Sequence, residues 1–340
     1  MLQVTQRMTT PEELNERLTR PVPAEIDCLI RNTGYIVVLG ASGKMGPSLV
    51  GRLCRAAPGR KVFAVARFNS MRVLDEVREA GAEPIVCDLH DPDQVAKLPD
   101  AANVFYLVGR KFGSSGRPDL TWAANTVVPS ITGWKYRESK IVVFSSGNVY
   151  PFVGADSQGS VESDSAGPIG EYAQSALARE RIFEYWAREY GTRCLIMRLN
   201  YAVDLRYGTL VDIARGVWTG QSAPPVERVN AIWQGDANRY AILSLDLCDS
   251  PARVLNVTGP EVVDVGATAR WFATRFRKPQ PQTTEIQAHA LLNDPSECVR
   301  LFGPPEIDLA TLREWVAQWI ENGGESLGKP TGFEVVDGNF

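Results

Sequence analysis

The chain has 340 residues, 44% of them hydrophobic, and a formal net charge of −4. That length holds one large α/β domain or two smaller ones with a sizeable core, and the acidic balance argues against a nucleic-acid partner, whose contact surface would be basic. No run of about 18 apolar residues is present, so no membrane span is expected; the polar opening stretch does not read as a secretory leader, and six scattered cysteines without a CxxC pair read as reduced thiols of a cytoplasmic protein.

Residues 1–33 read as a helical extension: Thr10 can cap a helix with Pro11 at its first position, Pro23 starts a second, and Gly34 ends it. Tyr35-Ile36-Val37-Val38-Leu39 is a short, mostly β-branched run followed at once by glycines, the pattern of a buried parallel strand. A helix over 44–57, a strand over 61–66, a helix over 71–80, a strand over 84–87, a strand over 103–108, a long helix over 118–135 and a strand over 141–144 follow. This alternation predicts a doubly wound parallel (Rossmann) sheet, an α/β fold spanning residues 34–198 and continued by parts of 225–260. Residues 151–169 read as a loop, 170–190 as a helix and 193–197 as a sixth strand. A smaller C-terminal α/β substrate-binding region is expected over 199–322, with helices near 208–219 and 308–321, and the glycine-containing tail over 323–340 is expected to be loosely held.

Gly40-Ala41-Ser42-Gly43-Lys44-Met45-Gly46 places GxxGxxG directly after the first strand and before a helix. Glycines permit a tight turn and close approach of backbone to a pyrophosphate, and the helix start behind them offers free N–H groups. Gly40, Ser42, Gly43, Lys44, Met45 and Gly46 are therefore the candidate cofactor residues. The second strand ends Val65-Ala66-Arg67 with no acidic residue for a ribose, so Arg67 leans the expectation from NAD towards NADP through a 2′-phosphate. Asp88 and Leu89, after the third strand, suit the adenine. With only His90 and His289 in the chain, no metal site and no Ser-His-Asp triad is expected.

Further motifs follow in order: Asn125 on the helix after the fourth strand, Ser145-Ser146-Gly147-Asn148-Val149-Tyr150 after the fifth, an acidic loop from Glu162 to Pro168, and Leu255-Asn256-Val257-Thr258-Gly259-Pro260. From about residue 35 to 321 this series resembles the extended short-chain dehydrogenase/reductase family of the NAD-dependent epimerase/dehydratase type. The resemblance implies that Ser146, with Ser145 as alternate, holds the substrate oxygen, that Tyr172 is the acid/base, and that Asn125 belongs to the cofactor side. It also implies a lysine four residues after the tyrosine, yet Ala176 stands there, with the register fixed by Ser175 and Glu180. A tyrosine without a neighbouring cation ionises near pH 10, so only about one in a thousand is phenolate at pH 7. The substitution therefore penalises oxidation of an alcohol more than reduction of a carbonyl. Arg179 lies seven residues on, about 10.5 Å along the helix axis, and Lys111 follows the fourth strand; both are substitute cations or, more simply, solvated surface charges.

On the substrate side, Asn148, Asn200, Trp233 and Gln234 are the expected contacts, the last two by alignment on Asp236. Val229 stands where sugar-nucleotide enzymes of such a family carry an arginine, although Arg228 is adjacent; this weakens a sugar-nucleotide reading and sets a smaller sugar or sugar acid at least level with it. The implied activity is NAD(P)-dependent hydride transfer on a carbohydrate-like substrate by a homodimer. The alternative is a cofactor-binding sensor or partner subunit that has lost turnover.

Overall fold

The alternation of apolar runs and helices read from the sequence builds one continuous sheet. The computed structural model describes residues 7–111, 113, 116–282, 289–329 and 331–339. In chain order the first half contains α1 (Pro11–Thr19), α2 (Pro23–Arg31), β1 (Ile36–Leu39), α3 (Gly46–Ala56), β2 (Val62–Ala66), α4 (Met71–Glu79), β3 (Glu83–Val86), α5 (Pro92–Ala96), β4 (Asn103–Tyr106) and α6 (Pro118–Trp122). A π-helical turn over Ala123–Val127 joins α6 to α7 (Val128–Lys135), so the long helix expected over 118–135 is present with an interruption in its middle. Then come β5 (Lys140–Ser146), β6 (Val153–Gly154), α8 (Gly170–Tyr190), β7 (Arg193–Leu199), β8 (Ala202–Val203), α9 (Thr209–Thr219), β9 (Arg228–Asn230) and β10 (Ile232–Trp233). The chain closes with α10 (Gln234–Leu243), β11 (Arg253–Val257), β12 (Val262–Asp264), α11 (Val265–Phe276), β13 (His289–Ala290), α12 (Ser296–Phe302) and α13 (Leu309–Glu321).

Seven strands form a parallel sheet in the order β11-β7-β5-β4-β1-β2-β3. Leu39 pairs with Val65 on one side and Tyr106 on the other, so the loop leaving β1 emerges where the strand order reverses. In open α/β sheets that switch point forms a crevice outside the carboxyl ends of the strands. Alternate residues of β1 serve opposite faces: Ile36 and Val38 join the core with α2, α3 and α10, while Val37 and Leu39 join the one with α7 and α8. The β5–β7 register sets Ser146 beside Leu199 at the same carboxyl edge.

The stretch 151–169, read as a loop, contains the two-residue strand β6, paired antiparallel with β13. The first residues of the chain are also more than an appendage. Thr10 caps α1 with a reciprocal Glu13 contact, and Leu14 and Leu18 enter the same core as Trp233, Phe272, Trp315 and Trp319. On the other side Glu25 forms a buried two-pronged pair with Arg52 of α3, at 2.5 and 2.7 Å. The C-terminal segment differs from the expectation of a loose tail. Thr331 donates through its amide and hydroxyl to Asp212, Phe333 is buried near Tyr201, and the backbone at Gly338 presses on Gly170 closely enough that neither position has room for a Cβ. Among the described residues no helix is long and apolar enough to cross a membrane.

Removing one member of a buried ion pair leaves an uncompensated charge, which costs about 3–5 kcal/mol. Glu25→Ala should lower stability by that amount in urea unfolding, and Glu25→Leu combined with Arg52→Leu should lower it less. Equal losses from the single and double variants would mean that the two side chains do not act as a pair.

Candidate active site

The glycine loop turns at Gly40, whose φ of 82° is a conformation that favours glycine. Backbone bonds Gly43 N to Gly40 O and Gly46 N to Gly43 O, each 3.0 Å, keep the turn tight. A Cβ on Gly46 would lie 2.1 Å from the carbonyl oxygen of Ala41, so only glycine lets α3 start this close to the strand. Ser42 and Gly43 stay exposed at the rim while Lys44 and Met45 point towards the crevice floor. This cradle, with backbone N–H groups and a helix start at the switch point, fits a dinucleotide pyrophosphate. Further out, Arg67 is exposed at the end of β2. Asp88 accepts from the backbone N–H of His90 and faces its Nδ1 at 3.1 Å, and that backbone bond holds its carboxyl below the usual range. Leu89 is buried.

A cavity of about 230 Å³ lies at the carboxyl edge of β5 and β7. Ser146 from β5, Asn148 from the turn after it, Tyr172 from α8 and Asn200 from the loop after β7 all border it, as do Lys44 and Met45 of the glycine loop. The Ser146 hydroxyl donates to Asn148 Oδ1 at 3.0 Å and accepts from the Asn148 backbone amide at 3.2 Å. Ser145 also borders the cavity, but its hydroxyl donates to Glu180, which is itself paired with Arg198 at 2.7 Å, both buried. Of the two candidate serines, Ser146 thus has its hydroxyl at the cavity and Ser145 braces α8 against the sheet.

Ala176 is fully buried in a small apolar cluster with Val149, Tyr150 and Leu177. Asn125, in the π-helical turn, is also buried. Its Nδ2 donates to Ser175 Oγ at 2.8 Å, and its Oδ1 accepts from the amide of Arg110 and from Arg179 Nη1. Arg179 further donates to the carbonyl of Val108. Arg179 is therefore not a solvated surface charge: the loop after β4 folds back onto α8 and buries it. Among the described residues no carboxylate pairs with it. Lys111 is not a plain surface charge either. Its Nζ donates to the carbonyl of Thr331 at 2.8 Å and sits 5.9 Å from the ring centroids of both Tyr172 and Tyr201.

Residues 36–203 match the model of the NAD dependent epimerase/dehydratase family. That segment belongs to this family. No curated protein matches the chain. Among solved structures, UDP-glucose 4-epimerase of Thermotoga maritima, determined with UDP-glucose, is similar with a TM-score of 0.73 at 16% identity, covering 85% of this chain and 99% of that one. dTDP-glucose 4,6-dehydratase of Bacillus anthracis, determined with NAD, has a TM-score of 0.72 at 13% identity, covering 84% and 96%. UDP-glucuronic acid 4-epimerase of Bacillus cereus, also with NAD, has a TM-score of 0.71 at 15% identity, covering 84% and 98%. These likenesses are likenesses of fold.

Within the epimerase/dehydratase frame, two expected substrate contacts lie elsewhere. Trp233 packs edge-on against Trp315 and borders a separate cavity of about 190 Å³, and Gln234 is buried, donating to Ser48 Oγ at 2.8 Å. Asp236, the anchor of that alignment, accepts from the amides of Glu306 and Ile307 and so fastens a loop. Asn200 does border the cavity, with its amide donating to Asn230 Oδ1 at 2.9 Å. The sequence reading did not place Tyr201, Tyr207 and Thr331 at the cavity, nor find Lys44 reaching the Ala202 carbonyl at 2.6 Å with its amine 5.0 Å from the Tyr207 ring. Burial pushes the amines of Lys44 and Lys111 down to about 8, against the opposing pull of Asp204 on the first and of Glu334 and Asp212 on the second. Among the described residues no group of three His, Cys, Asp or Glu side chains is placed to hold a metal.

Burial disfavours the charged ammonium, so uncovering Lys111 should raise its pKa towards the ordinary lysine value of about 10.4. Ending the chain at Gly328 removes Thr331 and its neighbours. The pH midpoint for acetylation of Lys111, followed by mass spectrometry of its peptide, should then rise by at least about one unit. An unchanged midpoint would mean that the tail is not what buries the amine.

Proposed function

We propose that the chain binds NAD(H) in the crevice above β1 and β4 and transfers hydride to or from a sugar-like substrate, a free sugar or sugar acid, at Ser146 and Tyr172. The observation that carries this reading is the convergence of Ser146, Tyr172 and Met45 of the glycine loop on one cavity, from three separate elements. The nicotinamide, when bound, would supply or accept the hydride. The protein's own part is to seat the reacting oxygen: the Ser146 hydroxyl, which in this structure donates to Asn148 Oδ1, turns its proton to that oxygen while still accepting from the Asn148 backbone amide, and the phenol of Tyr172 gives up its proton as a carbonyl is reduced. NAD(H) is assigned ahead of NADP(H) because the matched family is NAD dependent; Arg67, exposed at the end of β2, is the side chain that would meet a 2′-phosphate. A homodimer is part of the reading. Val127, Trp134, Tyr185 and Tyr190 leave about half of their surfaces exposed across the π-helical turn, α7 and α8, and a second copy would cover them.

NADH should bind the native chain in a fluorescence titration, and Gly46→Ala should abolish binding, because the added methyl drives the loop off Ala41. Tyr172→Phe should keep NADH affinity while lowering hydride transfer across a panel of sugars and sugar acids by about 10²–10⁴-fold. Failure of the native chain to bind either NAD(H) or NADP(H) sinks the reading. Binding without turnover on any member of the panel favours a cofactor sensor, the outcome to which the apolar setting of Ala176 lends support. In sedimentation the native chain should run as a dimer and Trp134→Glu with Tyr185→Glu as a monomer; a native monomer removes the dimer from the proposal.

A further inference from the structure

The cavity that holds Ser146 and Tyr172 also has a cation to which hydride transfer gives no role. Lys44 follows the second glycine of the loop after β1, and its side chain leaves the loop rim for the cavity. Its Nζ donates to the Ala202 carbonyl at 2.6 Å, touches Met45 Sδ at 4.0 Å and lies 5.0 Å from the Tyr207 ring centroid. Ala202, Met45 and Tyr207 all border the same cavity. Among the described residues no carboxylate is paired with Lys44. The carboxylate whose field reaches it is Asp204, which already has a cation of its own. Asp204 Oδ1 accepts from the Arg206 amide at 2.6 Å, and Oδ2 accepts from the Arg206 guanidinium at 2.9 Å. Backbone bonds in both directions between Asp204 and Tyr207 close this turn. The turn thus neutralises its own carboxylate and lays the Tyr207 ring beside Lys44.

An ammonium has N–H groups to spare beyond the one a carbonyl takes, and a buried charge is stable only beside an opposite one. From this geometry we infer that the substrate is a sugar acid, its carboxylate accepting from Lys44 Nζ while the reacting oxygen of the same molecule meets Ser146 and Tyr172. This rests on the hydride-transfer reading above and narrows its substrate to uronates and aldonates. Lys44 touches the substrate and sets its class; hydride and proton transfer stay with the groups already named. Burial lowers the amine to about 8, so it is protonated in roughly nine molecules in ten at pH 7. A carboxylate beside it works against the burial and raises it again. The charged and titratable groups around it are Asp204 and Arg206 from the turn after β8, Tyr207, and elsewhere on the cavity wall Tyr172, Tyr201 and Lys111.

The test reads Lys44 directly. The pH midpoint for its acetylation is followed by mass spectrometry of its peptide, on the chain alone and with NADH. The probes are glucuronate, galacturonate, gluconate and galactonate, with glucose and galactose as neutral matches. At least one acid should raise the midpoint by at least about one unit, and its neutral match should leave the midpoint in place. No shift from any acid overturns the inference, and so does an equal shift from a neutral sugar. An equal rise with NADH alone also overturns it, by giving the ammonium to the cofactor pyrophosphate. A rise with glucose 6-phosphate where no acid produces one does the same, by making the anion a phosphate. Affinities supply the second readout: Lys44→Met should weaken the acid by at least about tenfold more than it weakens the neutral sugar or NADH, and Lys44→Arg should recover part of that loss. Equal losses for acid and neutral sugar count against a charge contact. Absent NADH binding by the native chain removes the hydride-transfer reading, while the midpoint on the chain alone still decides whether Lys44 takes a carboxylate.

Discussion

The site depends on a single amide. Asn125 donates to Ser175 and accepts from Arg110 and Arg179, joining the long helix after β4, the loop before it and the helix that bears Tyr172. It does so from a π-helical turn. One residue more per turn rotates the helix locally, and single π turns often sit at functional sites for that reason. A buried side-chain amide has to satisfy its donors and acceptor, and here the partners lie on different elements, so satisfying the amide fixes their relative positions.

Below this amide lies a second layer of polar contacts. Ser145 bonds Glu180, Glu180 pairs with Arg198, Arg198 lies over the Tyr150 ring at 4.6 Å, and the Tyr150 hydroxyl donates to Asn256. The acidic loop docks at the same place, because Glu162 accepts from the Asn256 amide at 2.8 Å. The strand-five motif, the acidic loop and the strand near residue 256, which are far apart in sequence, thus meet in one buried network beneath the cavity. Their value to the site is rigidity: Ser146 follows Ser145 directly, so holding one hydroxyl in the framework aims the next one outwards.

Much of this was legible in the sequence, and the reasons differ by element. The strands announced themselves because a sheet buried on both faces leaves unbroken apolar runs such as Ile36–Leu39. The register of α8 was legible because Ser175 and Glu180 each have a buried job, one with Asn125 and one with Arg198, and such side chains tolerate no shift. The family pattern favoured Ser146 and left Ser145 as the alternate; what divides them is the buried contact of the Ser145 hydroxyl with Glu180, which no local pattern encodes. Other parts lay beyond reach. Lys111 sits in a loop without periodicity, and nothing local shows that Arg179 will draw that loop inwards. Trp233 and Gln234 were misplaced because Asp236 looks like a motif anchor and in fact holds amides at residues 306 and 307. The tail looked loose because its glycines permit turns; its order comes from partners far back in the chain, such as Asp212, and no local pattern encodes them.

The placement of Thr331 carries a consequence for the order in which the protein is made. Every other described residue bordering the cavity, from Lys44 to Gly208, precedes it by more than a hundred positions. Domains fold largely from the N-terminal side as they emerge during synthesis. The sheet, the glycine loop and the Tyr172 helix are therefore all available to a nascent chain whose cavity still lacks one wall, and Lys111 gains its carbonyl partner only when the segment around residue 331 has arrived.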